Sequence, residues 1–281
     1  MLKRAVTALV LVGFVVAMLF LGATVHYAFL DALIMVFAFT GAYEMYHTFR
    51  KSGYINSGIP SLIMCLGIYP LWYFKGYAGI LIIFTACVAL SLAIYTFRPQ
   101  MEIKDLLATV FSMIYPMLIV SLAFALSREF ACGGVFGISF AVFLPVFSDT
   151  FAYLVGSAVG KHKLCPSISP KKTVEGAIGG EIGSILCAVL FFLLFDYFGV
   201  IKAGYTGFSD SVAVTAVVYV VLGIAGGVIA EIGDLAASRI KRSMDIKDFG
   251  NIFPGHGGVL DRLDSIMFTL IMLFTAFTFM Y

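Results

Sequence analysis

Charge is what this sequence has least of. Only 12% of its 281 residues are Asp, Glu, Lys or Arg, whereas 61% are hydrophobic. The length alone suggests one or two soluble domains, but a mean hydropathy of +1.03 excludes them. The five cysteines (Cys65, Cys87, Cys132, Cys165, Cys187) stand singly, four of them in or beside apolar segments. No pair has metal-ligand spacing, so free thiols are expected. Also missing are an internal repeat, a low-complexity segment and a domain-dividing linker. There is no Walker A pattern and no nucleophile elbow, so nothing suggests a covalent enzyme intermediate.

What is present is apolar length. Stretches of about 18 or more apolar residues recur along the chain, each able to cross a hydrocarbon core of about 30 Å. Nine spans are expected, near 5–25, 27–47, 58–74, 77–97, 105–127, 134–157, 177–199, 211–232 and 259–280. The third is the weakest, bracketed by Pro60 and Pro70. Met1-Leu2-Lys3-Arg4 before an apolar run superficially resembles a signal peptide, but the run is long and leads into more apolar sequence, so a retained first helix is expected. With the N-terminus inside, fifteen of the eighteen Lys and Arg residues face the cytoplasm, leaving Lys75, Arg128 and Lys202 outside. The expectation is an all-α, multi-pass protein of the cell (inner) membrane with a basic cytoplasmic face that attracts anionic lipid headgroups.

The two halves differ. Residues 1–130 have short loops and few charges within the spans. Asp31 and Glu44 are the exceptions, with a helix-capping or bundle-interior role favoured over catalysis. Residues 131–281 hold two long polar connections, Gly160–Gly176 and Ser238–Gly258. Loops of that length in a compact bundle are usually functional or disordered, and their Pro and Gly positions favour function. The second connection and the residues after it, to Ser265, set Asp, Arg and Lys beside Gly-rich backbone. Such a mixture near a membrane marks a functional site by default.

Particular residues carry the chemistry. Asp261 and Asp264 sit three apart, sharing a face if that segment is helical, and Asp234 ends the eighth span. Together these carboxylates suit Mg²⁺, which takes one or two of them plus substrate phosphates; singly, each could pair with Arg262 or Arg239 or cap a helix. Pro254-Gly255-His256-Gly257-Gly258 precedes a helix, so its amides and the helix dipole favour an anion. Lys241, Arg242 and Lys247 could neutralise a triphosphate or serve only as a topology signal. Ser169, Lys171, Lys172 and Thr173 could hold phosphate, while Thr173 and Glu175 could equally cap the next helix. Asp149 lies within the sixth span, where its charge favours a polar cavity. His256 could be a base, a phosphate donor or a structural loop residue. This set fits direct phosphoryl or nucleotidyl transfer by positioning and charge neutralisation.

The spaced positions Ser238, Lys241-Arg242, Lys247-Asp248, Gly250, Phe253-Pro254, His256-Gly257-Gly258, Asp261-Arg262 and Asp264 resemble the C-terminal signature of the phosphatidate cytidylyltransferases. Ser148-Asp149, Ala152-Tyr153, Gly156, Gly160, the Ser169-Pro170-Lys171-Lys172-Thr173 run, Glu175-Gly176 and Gly233-Asp234-Leu235 are also similar to that family. The resemblance implies CTP and phosphatidic acid as substrates, CDP-diacylglycerol and pyrophosphate as products, and a homodimer. It implies Mg²⁺, alone or with a second, monovalent cation, on Asp234, Asp261 and Asp264. Asp248, Lys171, Lys172, Lys241 and Arg242 would shape the nucleotide and phosphate site, with catalytic weight on Asp248, Lys241, Arg242 and Asp261. No nucleic-acid partner is expected. A CTP-dependent polyisoprenol kinase or a cytidylyltransferase for another lipid phosphate shares this chemistry, and a secondary transporter is the rival from another class.

Overall fold

The computed structural model describes residues 2–128, 130, 134–199, 207–253 and 257–280, with residues 2–9 and 11 described by backbone only. Among these described residues ten α-helices follow in order: α1 (Leu2–Thr24), α2 (Ala28–Lys51), α3 (Ile59–Lys75), α4 (Tyr77–Phe97), α5 (Ile103–Ser112), α6 (Ile119–Arg128), α7 (Gly134–Val159), α8 (Val174–Phe191), α9 (Val212–Ser243) and α10 (Leu260–Met280). Seven segments among the described residues are long and apolar enough to cross a membrane. They are α2, α4, α5 with α6, α7, α8 with its extension to Tyr197, α9 and α10. The chain is an α-helical, multi-pass membrane protein.

The other two of the nine expected spans are α1 and α3. In α1 the apolar part recognised among the described residues is Val12–Thr24. Helix α3 has 17 residues between Gly58 and Gly76, a rise of about 26 Å, less than a core of about 30 Å. Helices α5 and α6 form one span through a π-helical turn, Met113–Leu118. Pro116 inside it has no N–H to donate, and the Ile119 N–H reaches back five residues to the Ile114 carbonyl. A second π-helical turn, Phe192–Tyr197, continues α8.

Two features depart from the expected pattern. The eighth span was expected to end near residue 232, but α9 runs 32 residues to Ser243, a rise of about 48 Å. After Gly233 its sequence is Asp-Leu-Ala-Ala-Ser-Arg-Ile-Lys-Arg, with no Gly or Pro to stop it, so Lys241 and Arg242 are helical rather than in a loop. The Gly160–Gly176 connection, expected to be irregular in an all-α fold, is an antiparallel hairpin of β1 (Lys163–Cys165) and β2 (Ser169–Thr173), with Lys163 opposite Thr173 and Cys165 opposite Ser169. Pro166 is the second residue of its turn, which closes through the Ile168 N–H to the Cys165 carbonyl at 3.1 Å.

The chain forms two compact units. The first comprises Met1–Leu21, Ala28–Leu122 and Ser243–Arg262. Its core is rich in methionine, with Met45, Met64, Met113 and Met117 fully buried. Two of its acids are structural. Asp31 accepts the Tyr69 hydroxyl at 3.0 Å. Asp105 accepts the Ile55 and Glu102 amides, each at 2.8 Å, fixing the start of α5.

The second unit comprises Gly22–Tyr27, Ala123–Arg242 and Leu263–Tyr281. Helices α7 and α8 pack closely because Gly176, Gly179, Gly180 and Gly183 line one face of α8. A Cβ at Gly180 would stand 3.0 Å from Ser148 Oγ, and one at Gly183 2.7 Å from the Phe147 carbonyl. An aromatic cluster of Phe136, Phe140, Phe191, Phe195, Tyr219 and Phe277 is buried in the same unit. Cys65, Cys87, Cys165 and Cys187 are free thiols, as expected; Cys132 and Lys202 lie outside the described residues.

Candidate active site

In the second unit the hairpin and the polar end of α9 meet. Thr173 ends β2 and caps α8, its hydroxyl accepting the Gly176 N–H at 3.1 Å. Glu175, in the first turn of α8, turns to the hairpin: its carboxylate takes the Lys161 N–H at 3.0 Å, the His162 N–H at 3.2 Å and His162 Nδ1 at 2.6 Å. It thereby fastens the entry of the hairpin to its exit. With both ends fixed, Lys172 projects from β2 to α9. Its Nζ lies 2.7 Å from Glu231 Oε1 and 2.6 Å from Asp234 Oδ2. Burial works against the ammonium, but the adjacent Asp234 and Glu231 carboxylates outweigh it and hold the Lys172 pKa above the ordinary lysine value.

Asp234 and Asp264 are neighbours because of Gly233. A Cβ there would stand 2.8 Å from the Asp264 carbonyl oxygen and 3.1 Å from the Phe268 side chain, so α9 and α10 approach backbone to backbone beside Asp234. The Asp264 carboxyl is within electrostatic range of Asp234 and Asp149, both of like charge, and of Lys241, of opposite charge. Lys241 is buried although basic. Ser238 Oγ lies 3.5 Å from Asp234 Oδ1, one turn along α9. Three acids and two lysines thus gather at one place in this unit, together with Glu231.

The remaining predicted residues are placed differently. In the first unit, Asp261 Oδ2 accepts the Phe249 and Gly258 amides, each at 2.9 Å. It pins the segment before α10. Gly257 has φ of 82°, and a Cβ on it would stand 2.7 Å from Asp261 Oδ2. Asp248, Lys247 and Arg262 are exposed in this unit, while Lys171 and Arg242 are exposed in the second. Ser169 pairs opposite Cys165 in the hairpin. His256, with Pro254 and Gly255, lies outside the described residues.

One acid that the sequence did not place at the site joins it: Glu231 stands three residues before Asp234, and that spacing on one helix face was the available signal. Glu44 has the helix-capping, interior role expected of it, accepting the Val259 N–H at 3.0 Å and the Leu260 N–H at 2.8 Å at the start of α10; the helix it caps had no signal in the sequence.

The donor set around Asp234 and Asp264 is all oxygen, the chemistry of a hard divalent cation. Among the described residues no three His, Cys, Asp or Glu side chains form a group sized for a metal ion. Two carboxylates with substrate phosphates are nonetheless a usual Mg²⁺ environment, so the residues present fit that ion. Asp261 is engaged by backbone amides, but a carboxylate has about four acceptor positions, so anchoring and metal binding are compatible.

A family model described as the cytidylyltransferase family matches residues 2–280. The chain belongs to the cytidylyltransferase family. Among its relatives are proteins named phosphatidate cytidylyltransferase. That of Staphylococcus saprophyticus subsp. saprophyticus is 38% identical over 154 residues, covering 55% of this chain and 54% of the relative. The Staphylococcus haemolyticus protein is 40% identical over 140 residues, covering 50% and 48%. A Staphylococcus aureus protein is 40% identical over 154 residues, covering 55% and 54%. The matched part of the chain spans about half the length of these relatives.

Proposed function

We propose that this cytidylyltransferase-family protein is a phosphatidate cytidylyltransferase, making CDP-diacylglycerol and pyrophosphate from CTP and phosphatidic acid in phospholipid biosynthesis. A phosphate oxygen of phosphatidic acid attacks the α-phosphorus of CTP. The bond from that phosphorus to the bridging oxygen of the β-phosphate breaks, and pyrophosphate leaves. The attacking phosphate is largely ionised at neutral pH, so no general base is needed.

The observation that supports this best is Lys172 on Glu231 and Asp234, with Asp264, Asp149 and Lys241 beside them. A triphosphate brings negative charge and needs cations already in place. Lys172 and Lys241 supply them in the second unit, and Lys171 and Arg242 are assigned to the same phosphates. Asp248 and Lys247, with the Gly257-Gly258 backbone, are assigned to the nucleotide. Asp234 and Asp264 would hold Mg²⁺, which when bound neutralises charge on the triphosphate and the leaving pyrophosphate; Asp261 is assigned to metal by the sequence motif alone.

Nine spans with a cytoplasmic N-terminus, residence in the inner cell membrane and a homodimer complete the proposal; the distribution of Lys and Arg supports the orientation. Purified protein in detergent should release pyrophosphate only when CTP, phosphatidic acid and Mg²⁺ are all present, and EDTA should stop the release. Release without lipid, or unchanged by EDTA, would contradict the proposal.

A further inference from the structure

Glu44 is only 3% exposed, and both its carboxylate oxygens are in use. They take the Val259 and Leu260 amides at 3.0 and 2.8 Å, donors that the start of a helix leaves without an intrahelical partner. Four residues further along α2, Thr48 Oγ1 donates to the Phe249 carbonyl at 3.4 Å, and just past the helix end Ser52 Oγ donates to the Met244 carbonyl at 3.5 Å. The end of α2 and the residue after it therefore hold Met244, Phe249 and Val259–Leu260 at three levels, all within the first unit.

The glycines of this segment face the same group. A Cβ on Gly250 or on Gly258 would overlap the Glu44 carboxylate. Neither residue has a positive φ, whereas Gly257 does. The backbone conformation at 250 and 258 thus admits any residue, and what glycine provides there is space.

We propose that Glu44 is the positioning residue of the segment carrying Lys247, Asp248, Gly257 and Gly258, and that Gly250 and Gly258 lack side chains to admit its carboxylate rather than a phosphate. The proposal rests on the function assigned above, because that function gives the segment its nucleotide. Glu44 touches no substrate; it acts by fixing the backbone that does.

A double-mutant cycle tests it on the full chain purified in detergent, with Glu44→Ala, Gly258→Ala and both together. Each single change should lower the melting temperature and raise the KM for CTP about tenfold, the scale of one lost charge-assisted hydrogen bond. The KM for phosphatidic acid should stay within about twofold, because a change confined to the segment removes binding to one substrate only. The double variant should be no worse than the poorer single, since the new methyl enters space the carboxylate has left.

Glu44→Gln, the milder variant, keeps the bulk, so Gly258→Ala should retain its full cost in that background. Independent effects of Glu44→Ala and Gly258→Ala would overturn the proposal and return Gly258 to the ligand. So would loss of kcat with an unchanged KM, the mark of a merely smaller folded fraction. The melting-temperature cycle needs no activity. If the wild-type protein transfers nothing from CTP, the assigned function fails, and the cycle still decides whether Glu44 and Gly258 are coupled.

Discussion

Asp264→Asn should lower turnover by about a thousandfold or more, the scale set by losing a ligand to the cation that would neutralise a transferring phosphate, while melting temperature is unchanged or higher. The second half of that expectation follows from the surroundings. Burial and the like charges of Asp234 and Asp149 work against the Asp264 carboxylate, while the Ser265 N–H and Lys241 favour it. Neutralising it in an isosteric side chain relieves the burial cost and the repulsion and keeps an oxygen to accept the Ser265 N–H. A residue kept for structure would show the reverse, with stability falling alongside activity. Turnover measured on purified protein, with melting temperature and recovery in the membrane fraction, separates the two. Full activity in Asp264→Asn would remove that carboxylate from the site.

Lys172→Met should cost both quantities. Activity is expected to fall by about a hundredfold to a thousandfold, as when one preorganised group facing developing charge is removed. Stability should fall as well, since Glu231 and Asp234 lose their shared cation. The three side chains are 21%, 19% and 27% exposed, so solvent screens the pairs and the loss is discounted to about 1–2 kcal/mol rather than the value for a fully buried pair. The pH dependence has a definite sign. The Lys172 pKa is raised on folding, so its pairing contributes fully below the ordinary lysine pKa and is lost as pH rises through the higher folded value. Lys172→Met should abolish that alkaline component of the stability profile. A variant with wild-type activity and an unchanged alkaline limb would show that the ion pair is incidental.

The lengths of the apolar runs made the membrane-spanning helices legible, because a span needs little beyond apolar length. Thr173 as a helix cap was equally legible, since capping is local. The end of α9 was not, because hydropathy stops at the polar residues whereas helix propensity continues through Ala236, Ala237 and Arg239 to Ser243. The hairpin was hidden for a related reason. Its second strand reads Ser-Pro-Lys-Lys-Thr, with little of the β-branched or aromatic character that marks a strand, and pairing across the Pro166 turn decides it.

Among the site residues, the sequence pattern selected the carboxylates but not their partners. Asp261 and Asp264 share a motif, yet Asp261 takes the Phe249 and Gly258 amides, whereas Asp264 lies near Asp234, Asp149 and Lys241. Which backbone donors would be left over at the start of α10 depends on tertiary packing. Glu44 was the least legible, since its partners are 215 and 216 residues away and no periodicity within α2 points to them. The glycines at 250 and 258 were visible as a motif, and their steric reason lies in a different helix.

The most direct measurement uses the purified full chain with phosphatidic acid, Mg²⁺ and CTP labelled in parallel at the α- or the γ-phosphate. The proposed cytidylyl transfer predicts label from the α-phosphate in the lipid product and γ-label only in released pyrophosphate. Label from the γ-phosphate entering a lipid would contradict it and make the protein a kinase. No transfer in either format, across several lipid acceptors, would contradict it as well and return attention to transport.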